Sequence, residues 1–144
     1  MSVREALVNA QGTELRMLAV VPHDRRAEIA RQLVPLKPDI LFLERFSEAQ
    51  FAIREDGVFQ VALLPASLSD TDWWEFWGVL SVLNSRPAIL VYAREVTFQL
   101  WSGVLELGCY DVIVDPFSDE TLQGAVSGAA KSFEERRANG SQPE

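Results

Sequence analysis

Few residues in this chain of 144 are equipped for chemistry. The single histidine, His23, stands beside Asp24; an imidazole next to a carboxylate could relay a proton, or begin a metal site if further ligands joined it. Nothing else in the sequence completes either device. One histidine and one cysteine, Cys109, are too few soft ligands for a structural zinc. Ser67 and Ser69 lie outside any G-x-S-x-G turn and have no second histidine to activate them. Neither G-x-G-x-x-G nor G-x-x-x-x-G-K occurs, so no glycine-rich phosphate cradle is written into the chain. The expectation is a protein that is not an enzyme and carries no cofactor and no metal. In it His23 and Asp24 cap a helix and pack a loop, and Cys109 is a buried thiol.

The elements that position these residues follow from hydrophobic periodicity. Apolar runs at 17–21, 40–43, 61–64, 88–92 and 112–114 are too short for helices and rich in branched side chains, which predicts strands. Because the runs are continuously apolar, both faces of the sheet should be covered, the pattern of a parallel sheet with helices on each side. Asp24 is placed to cap a first helix with the stripe Ala27, Ala30, Leu33 and Val34, and Ser47 with Gln50 to open a second, stopped by Gly57. Asp72 with Glu75 opens a third, continued by Phe76, Leu80 and Leu83. Thr97 caps a fourth through Leu100, Val104 and Leu107, ended by Gly108. Ser118 precedes a fifth, with Asp119 and Glu120 at its positive end and Leu122, Ala125, Val126, Ala129 and Phe133 as its buried stripe. Crossover handedness folds this alternation into an α/β protein, a doubly wound five-stranded parallel sheet flanked by five helices in three layers. The expected boundaries are a lead-in over 1–13, one domain over 14–133 and a polar tail over 134–144.

Charge narrows the partners. Thirteen Lys plus Arg against twenty-one Asp plus Glu leave a net charge of −8, the wrong sign for nucleic acid or an anionic membrane, and neither is expected as a direct partner. Residues 1–13 carry Arg4, Glu5 and Asn9 where a signal peptide needs an apolar stretch, and no apolar run is long enough to span a membrane, so the expected location is cytoplasmic.

In an open parallel sheet, ligands sit beyond the carboxyl ends of the strands. Here those junctions are Pro22-His23-Asp24, Glu44-Arg45, Pro65-Ala66-Ser67, Ala93-Arg94-Glu95 and Asp115-Pro116-Phe117. Over roughly residues 15–133 the chain resembles the receiver domain of bacterial response regulators, most specifically in the run LGCYDVIVDPF at 107–117. That run is similar to the family's fifth-strand segment ending in Lys-Pro-Phe. Val20 to Asp24 stands where the family has an acidic cluster, Leu63 to Leu68 where it has the acceptor aspartate and its loop, and 87–94 resembles the fourth strand. The resemblance implies a phosphorylation pocket, built from Mg²⁺-binding acids, an acceptor aspartate, a Ser or Thr and a Lys. At the matching positions this chain has Pro22, His23, Pro65, Tyr92 and Asp115, with Asp24 alongside. Mg²⁺ wants oxygen ligands, and prolines supply no side-chain oxygen; Asp115 reverses the charge that would meet a phosphoryl group. The resemblance therefore implies a degenerate pseudo-receiver without the phosphoacceptor, with a cis bond at Asp115-Pro116. The run 37–44 also resembles the acceptor segment, which would put Glu44 in that position. A single helix between Asp24 and Glu44, and one strand left over, argue against that register.

Aromatic residues supply the remaining signal. A helix cannot turn all of Trp73-Trp74-Glu75-Phe76-Trp77 inward; Trp74 is either an outward contact or packing beneath neighbouring helices, and both readings stand. The fourth helix carries a second apolar stripe, Phe98, Trp101 and Leu105, which also needs a cover. In receivers the fourth helix, fifth strand and fifth helix form the usual dimer or effector face, so Trp74, Phe98, Trp101 and Leu105 are the candidate interface, with packing of the second stripe wholly within the monomer as the competing reading. The expected function is a non-catalytic receiver-like module of two-component signal transduction, acting through a protein partner or homodimer independently of phosphorylation. Two alternatives remain: an atypical switch in which Asp24, Glu44 or Asp115 binds Mg²⁺ and one carboxylate takes phosphoryl, and a small-molecule sensor using His23, Tyr92 and Arg94.

Overall fold

Branched side chains pack well in extended backbone, and the five apolar runs form five strands. They are β1 (Arg16–Val20), β2 (Asp39–Leu43), β3 (Val61–Pro65), β4 (Ala88–Ala93) and β5 (Asp111–Val114). The computed structural model describes residues 15–45, 47–48, 51–52, 59–67, 75 and 86–140. All strand pairs are parallel, in the order β2-β1-β3-β4-β5. The winding reverses between β1 and β3, which puts a switch point at their carboxyl ends.

Alternation along the strands sorts the core onto two faces. Met17, Ala19, Val61, Leu63 and Leu90 point to one, and Leu18, Ala62, Leu64, Ile89 and Val91 to the other. The first face is covered by α1 (Arg26–Gln32) and α3 (Asp119–Gly140), through Ile29, Leu33, Leu122, Val126 and Phe133. The second receives Val104 of α2 (Phe98–Glu106), together with Cys109. Each large side chain buried this fully contributes about 1.5–3 kcal/mol, which is why continuous apolar runs need both layers.

Among the described residues there are three α-helices, not the five expected flanking helices. The second and third expected helices fall largely outside the described residues, as does Trp74. The three present match the expected first, fourth and fifth. Thr97 caps α2, its Oγ1 accepting the Leu100 N–H at 3.1 Å, and Gly108 ends that segment at φ 91°, a conformation that favours glycine. Ser118 Oγ accepts the Thr121 N–H at 3.1 Å at the start of α3.

Three local expectations are corrected. Asp24 makes no side-chain cap, because a 3₁₀ turn (His23–Arg25) precedes α1 and the Arg25 N–H donates to the Pro22 carbonyl instead. The buried residues of α1 are Ile29 and Gln32, followed by Leu33, while Ala27 and Val34 face solvent. Ala27 stands two residues, about 200°, from Ile29 on the helical wheel, and the bulkier side chain takes the sheet-facing place. Finally, the polar stretch after Phe133 continues α3 to Gly140. It is tied to the sheet: Gln60 Nε2 donates to Glu134 Oε1 at 3.0 Å, and Arg136 Nη2 to the Arg86 carbonyl at 2.9 Å.

Candidate functional site

The carboxyl ends of β1, β3, β4 and β5 bring Pro65, Tyr92 and Asp115 together. Tyr92 pairs in register with Pro65 and sends its side chain to the face covered by α1 and α3. Its hydroxyl donates to the Val20 carbonyl at 2.8 Å. Because β3 lies between β1 and β4, the phenol arches over the end of β3 and covers the switch point. Burial pushes the Tyr92 hydroxyl up to about 12, with Arg25 pulling it down and Asp115 adding to the rise.

Asp115 follows β5, placed by its own N–H donating to the Ala93 carbonyl at 2.8 Å. Its peptide bond to Pro116 is cis. Both carboxylate oxygens accept from Arg25, Nη1 to Oδ2 at 2.8 Å and Nη2 to Oδ1 at 2.9 Å. This fork-on-fork geometry is the strong form of an ion pair. The Asp115 side chain is only 11% exposed and that of Arg25 28%. The hydrogen bond to Asp115 raises the Arg25 guanidinium above its ordinary value against the opposing effect of burial. The Arg25 guanidinium also lies 5.6 Å from the centre of the Phe117 ring. The 3₁₀ turn matters here, since Arg25 is its last residue.

Chemically, this arrangement holds a closed ion pair under a phenol. The two oxygens of Asp115 are occupied by a guanidinium, so a hard cation seeking oxygen ligands would have to displace it. Pro65 offers neither nucleophile nor ligand. Pro22, His23 and Asp24 lie exposed at the rim after β1, as do Glu44 and Arg94 beyond β2 and β4. Among the described residues no group of three or more His, Cys, Asp or Glu side chains could hold a metal ion. Sequence reasoning placed Tyr92 and Asp115 in one pocket but missed Arg25. The available signal was an acid at the end of an apolar strand, which calls for a cation from another strand end.

The interface candidates lie elsewhere. On α2, Phe98 is 78% exposed and Trp101 44%, their ring centres 6.3 Å apart. Leu105 is partly buried on the same helix. Val114, on β5, is half exposed. Between β5 and α3 runs an open groove of about 730 Å³, bordered by Val112, Val114, Pro116, Thr121 and Gly124. Cys109 is buried, and burial pushes its thiol up to about 12.

No protein-family model matches the chain, and no curated protein matches it in sequence. Solved structures do match its fold. A signal receiver domain of a LuxO repressor protein from Vibrio parahaemolyticus superposes with a TM-score of 0.73 at 16% identity, covering 85% of this chain and 95% of that one. The beryllofluoride-activated NtrC4 receiver domain dimer gives 0.70 at 18% identity, over 82% and 98%. A pilus assembly-related protein from Burkholderia pseudomallei gives 0.68 at 20% identity, over 84% and 92%. The fold is that of response-regulator receiver domains. Among the described residues no helix is long and apolar enough to cross a membrane.

Proposed function

We propose that this chain is a pseudo-receiver, a non-catalytic signalling module of receiver fold that acts by protein contact and is not controlled by phosphorylation. The observation that carries this reading is the Arg25–Asp115 pair, with two hydrogen bonds of 2.8 and 2.9 Å where the resemblance puts the phosphoryl-contacting lysine. A receiver switch needs an acceptor carboxylate and Mg²⁺ ligands free to bind. At the position that the resemblance assigns to the acceptor stands Pro65, and the Asp115 carboxylate is already paired with Arg25. Its working surface is then the face of α2, β5 and α3, which offers exposed Phe98 and Trp101 on α2 and the groove between β5 and α3. Aromatic anchors of this kind supply much of the energy at protein interfaces. The occupant is a second copy of the chain or a protein partner.

The test is a titration with Mg²⁺ and beryllofluoride, which mimics an aspartyl phosphate, followed by tryptophan fluorescence and paired with labelling by a small phosphodonor. The expected result is neither a saturable response nor covalent label. A saturable Mg²⁺-dependent response that disappears when Asp24, Glu44 or Asp115 is changed to alanine would overturn the proposal in favour of a switch with displaced chemistry.

A further inference from the structure

At the end of the sheet opposite the ion pair, the start of β4 and the turn after α2 enclose a cavity of about 310 Å³ with α3. Arg86, Arg136, Ser132 and Tyr110 are among its lining residues, with Gly108 and Cys109 on the turn side. Two features set it apart. Two arginines line it in a protein whose net charge is −8, and no acidic residue is among its lining residues. Among the described residues, neither arginine forms an ion pair with a carboxylate. Arg136 is held in place by donating Nη2 to the Arg86 carbonyl at 2.9 Å, which brings its positive charge to the residue that carries the other.

Like charges gathered in a partly enclosed space oppose one another and lose hydration, a cost that a bound anion reverses. Burial and the neighbouring Arg86 charge both pull the Arg136 guanidinium below its ordinary value. The turn offers no competing backbone donors, because the N–H groups of Gly108, Cys109 and Tyr110 already donate to the Leu105, Val104 and Ile89 carbonyls. The remaining donors are thus side chains, the Arg86 guanidinium and the part of the Arg136 guanidinium not engaged by the Arg86 carbonyl, groups of the kind that bind phosphate oxygens, with Ser132 and Tyr110 also in the lining. The volume lies at the lower end of the range for ligand pockets, about 300–1,000 Å³, which suits a compact ligand over a nucleotide.

We infer that the Arg86–Arg136 cavity is a binding site for a small phosphate-type dianion, either inorganic phosphate or a compact phosphomonoester. It is separate from the pocket at the strand carboxyl ends, so it stands whether or not the protein proves to be a phosphorylation-independent module. A ligand seated there would bridge β4, the turn before β5 and the distal half of α3.

The experiment is a thermal-shift and amide chemical-shift titration of the full chain at constant ionic strength, with inorganic phosphate, glycerol 3-phosphate and, as a salt control, chloride. The expected result is a saturable shift with phosphate or glycerol 3-phosphate, mapped to residues 86–89, 108–110 and 132–136, and none with chloride. Whichever of the two binds more tightly identifies the source of the dianion. Arg86→Gln and Arg136→Gln should each weaken binding by about tenfold, the worth of one charge-assisted hydrogen-bonding group. Both side chains are exposed enough for the variants to fold, and Arg45→Gln, at a distant exposed site, should bind as the parent does. Absence of saturation by both phosphates, or equal shifts in the parent and an Arg86→Gln/Arg136→Gln double variant, would overturn the inference.

Discussion

Replacing Asp115 by asparagine keeps the shape of the site and removes its negative charge, which isolates what the Arg25–Asp115 pair contributes. Two unit charges about 4 Å apart attract by about 4 kcal/mol at an effective dielectric of about 20. Desolvation of both groups cancels much of this, as it does for most enclosed ion pairs. The Asp115 side chain is 11% exposed, but Arg25 at 28% can rehydrate when its partner is lost, so the full penalty of a stranded buried charge does not apply. The expected cost of Asp115→Asn is about 2 kcal/mol, and the expected coupling in a cycle with Arg25→Met is about 1–2 kcal/mol. Methionine retains an apolar stem against Phe117, so the cycle reports the charges and not lost packing. In a domain of this size 2 kcal/mol lowers the melting temperature by about 4–8 °C. Urea denaturation of the parent, both single variants and the double variant measures the coupling. The Arg31–Asp119 pair is an internal control: at 3.4 Å with side chains 63% and 49% exposed, it should couple weakly and lose that coupling in salt. The Arg25 coupling should largely survive 1 M NaCl (on the order of a 3 Å screening length) because the pair is enclosed. A coupling below about 0.5 kcal/mol, or one that salt removes as readily as the control, would refute the claim that this pair locks the pocket.

Two further outcomes are expected. Trp101→Glu should abolish self-association in sedimentation velocity, or partner capture where the partner is known, while leaving the far-ultraviolet circular dichroism native; unchanged assembly would remove the α2 face from consideration. Stability should fall in alkali, since Cys109 rises from 9.0 to about 12 and Tyr92 from 10.0 to about 12 in the folded chain. Above pH 9 the unfolded chain releases protons that the folded one retains, so stability contributed by these groups is present below pH 9 and lost as the pH climbs towards 12. Denaturation midpoints measured across that range should flatten in a Cys109→Ala/Tyr92→Phe variant, and an unchanged slope would assign the loss to other groups.

What could be read from the chain alone was whatever short-range pattern governs. The five strands followed from continuous branched runs, the start of α2 from Thr97, its end from Gly108, and the buried stripe of α3 from Leu122, Val126, Ala129 and Phe133. The two-sided core followed in turn, because a strand that is apolar on both faces must be covered on both, whereas the strand order came from the structure. Even nearby, pattern failed where two apolar sets competed: Ile29 took the sheet-facing side of α1 from Ala27, and a 3₁₀ turn left Asp24 without its cap. The polar residues after Phe133 continue α3, where Glu134 and Arg136 find partners before the amino ends of β3 and β4, Gln60 and the Arg86 carbonyl. The content of the candidate site was beyond sequence reasoning for the same reason. Arg25 and Asp115 are 90 positions apart, and Tyr92 reaches the Val20 carbonyl across 72. Sequence determined that an acid and a phenol stand at strand ends. Only the tertiary structure, by setting those ends side by side within reach of an arginine on the first turn, decided that the acid is paired and the switch point covered.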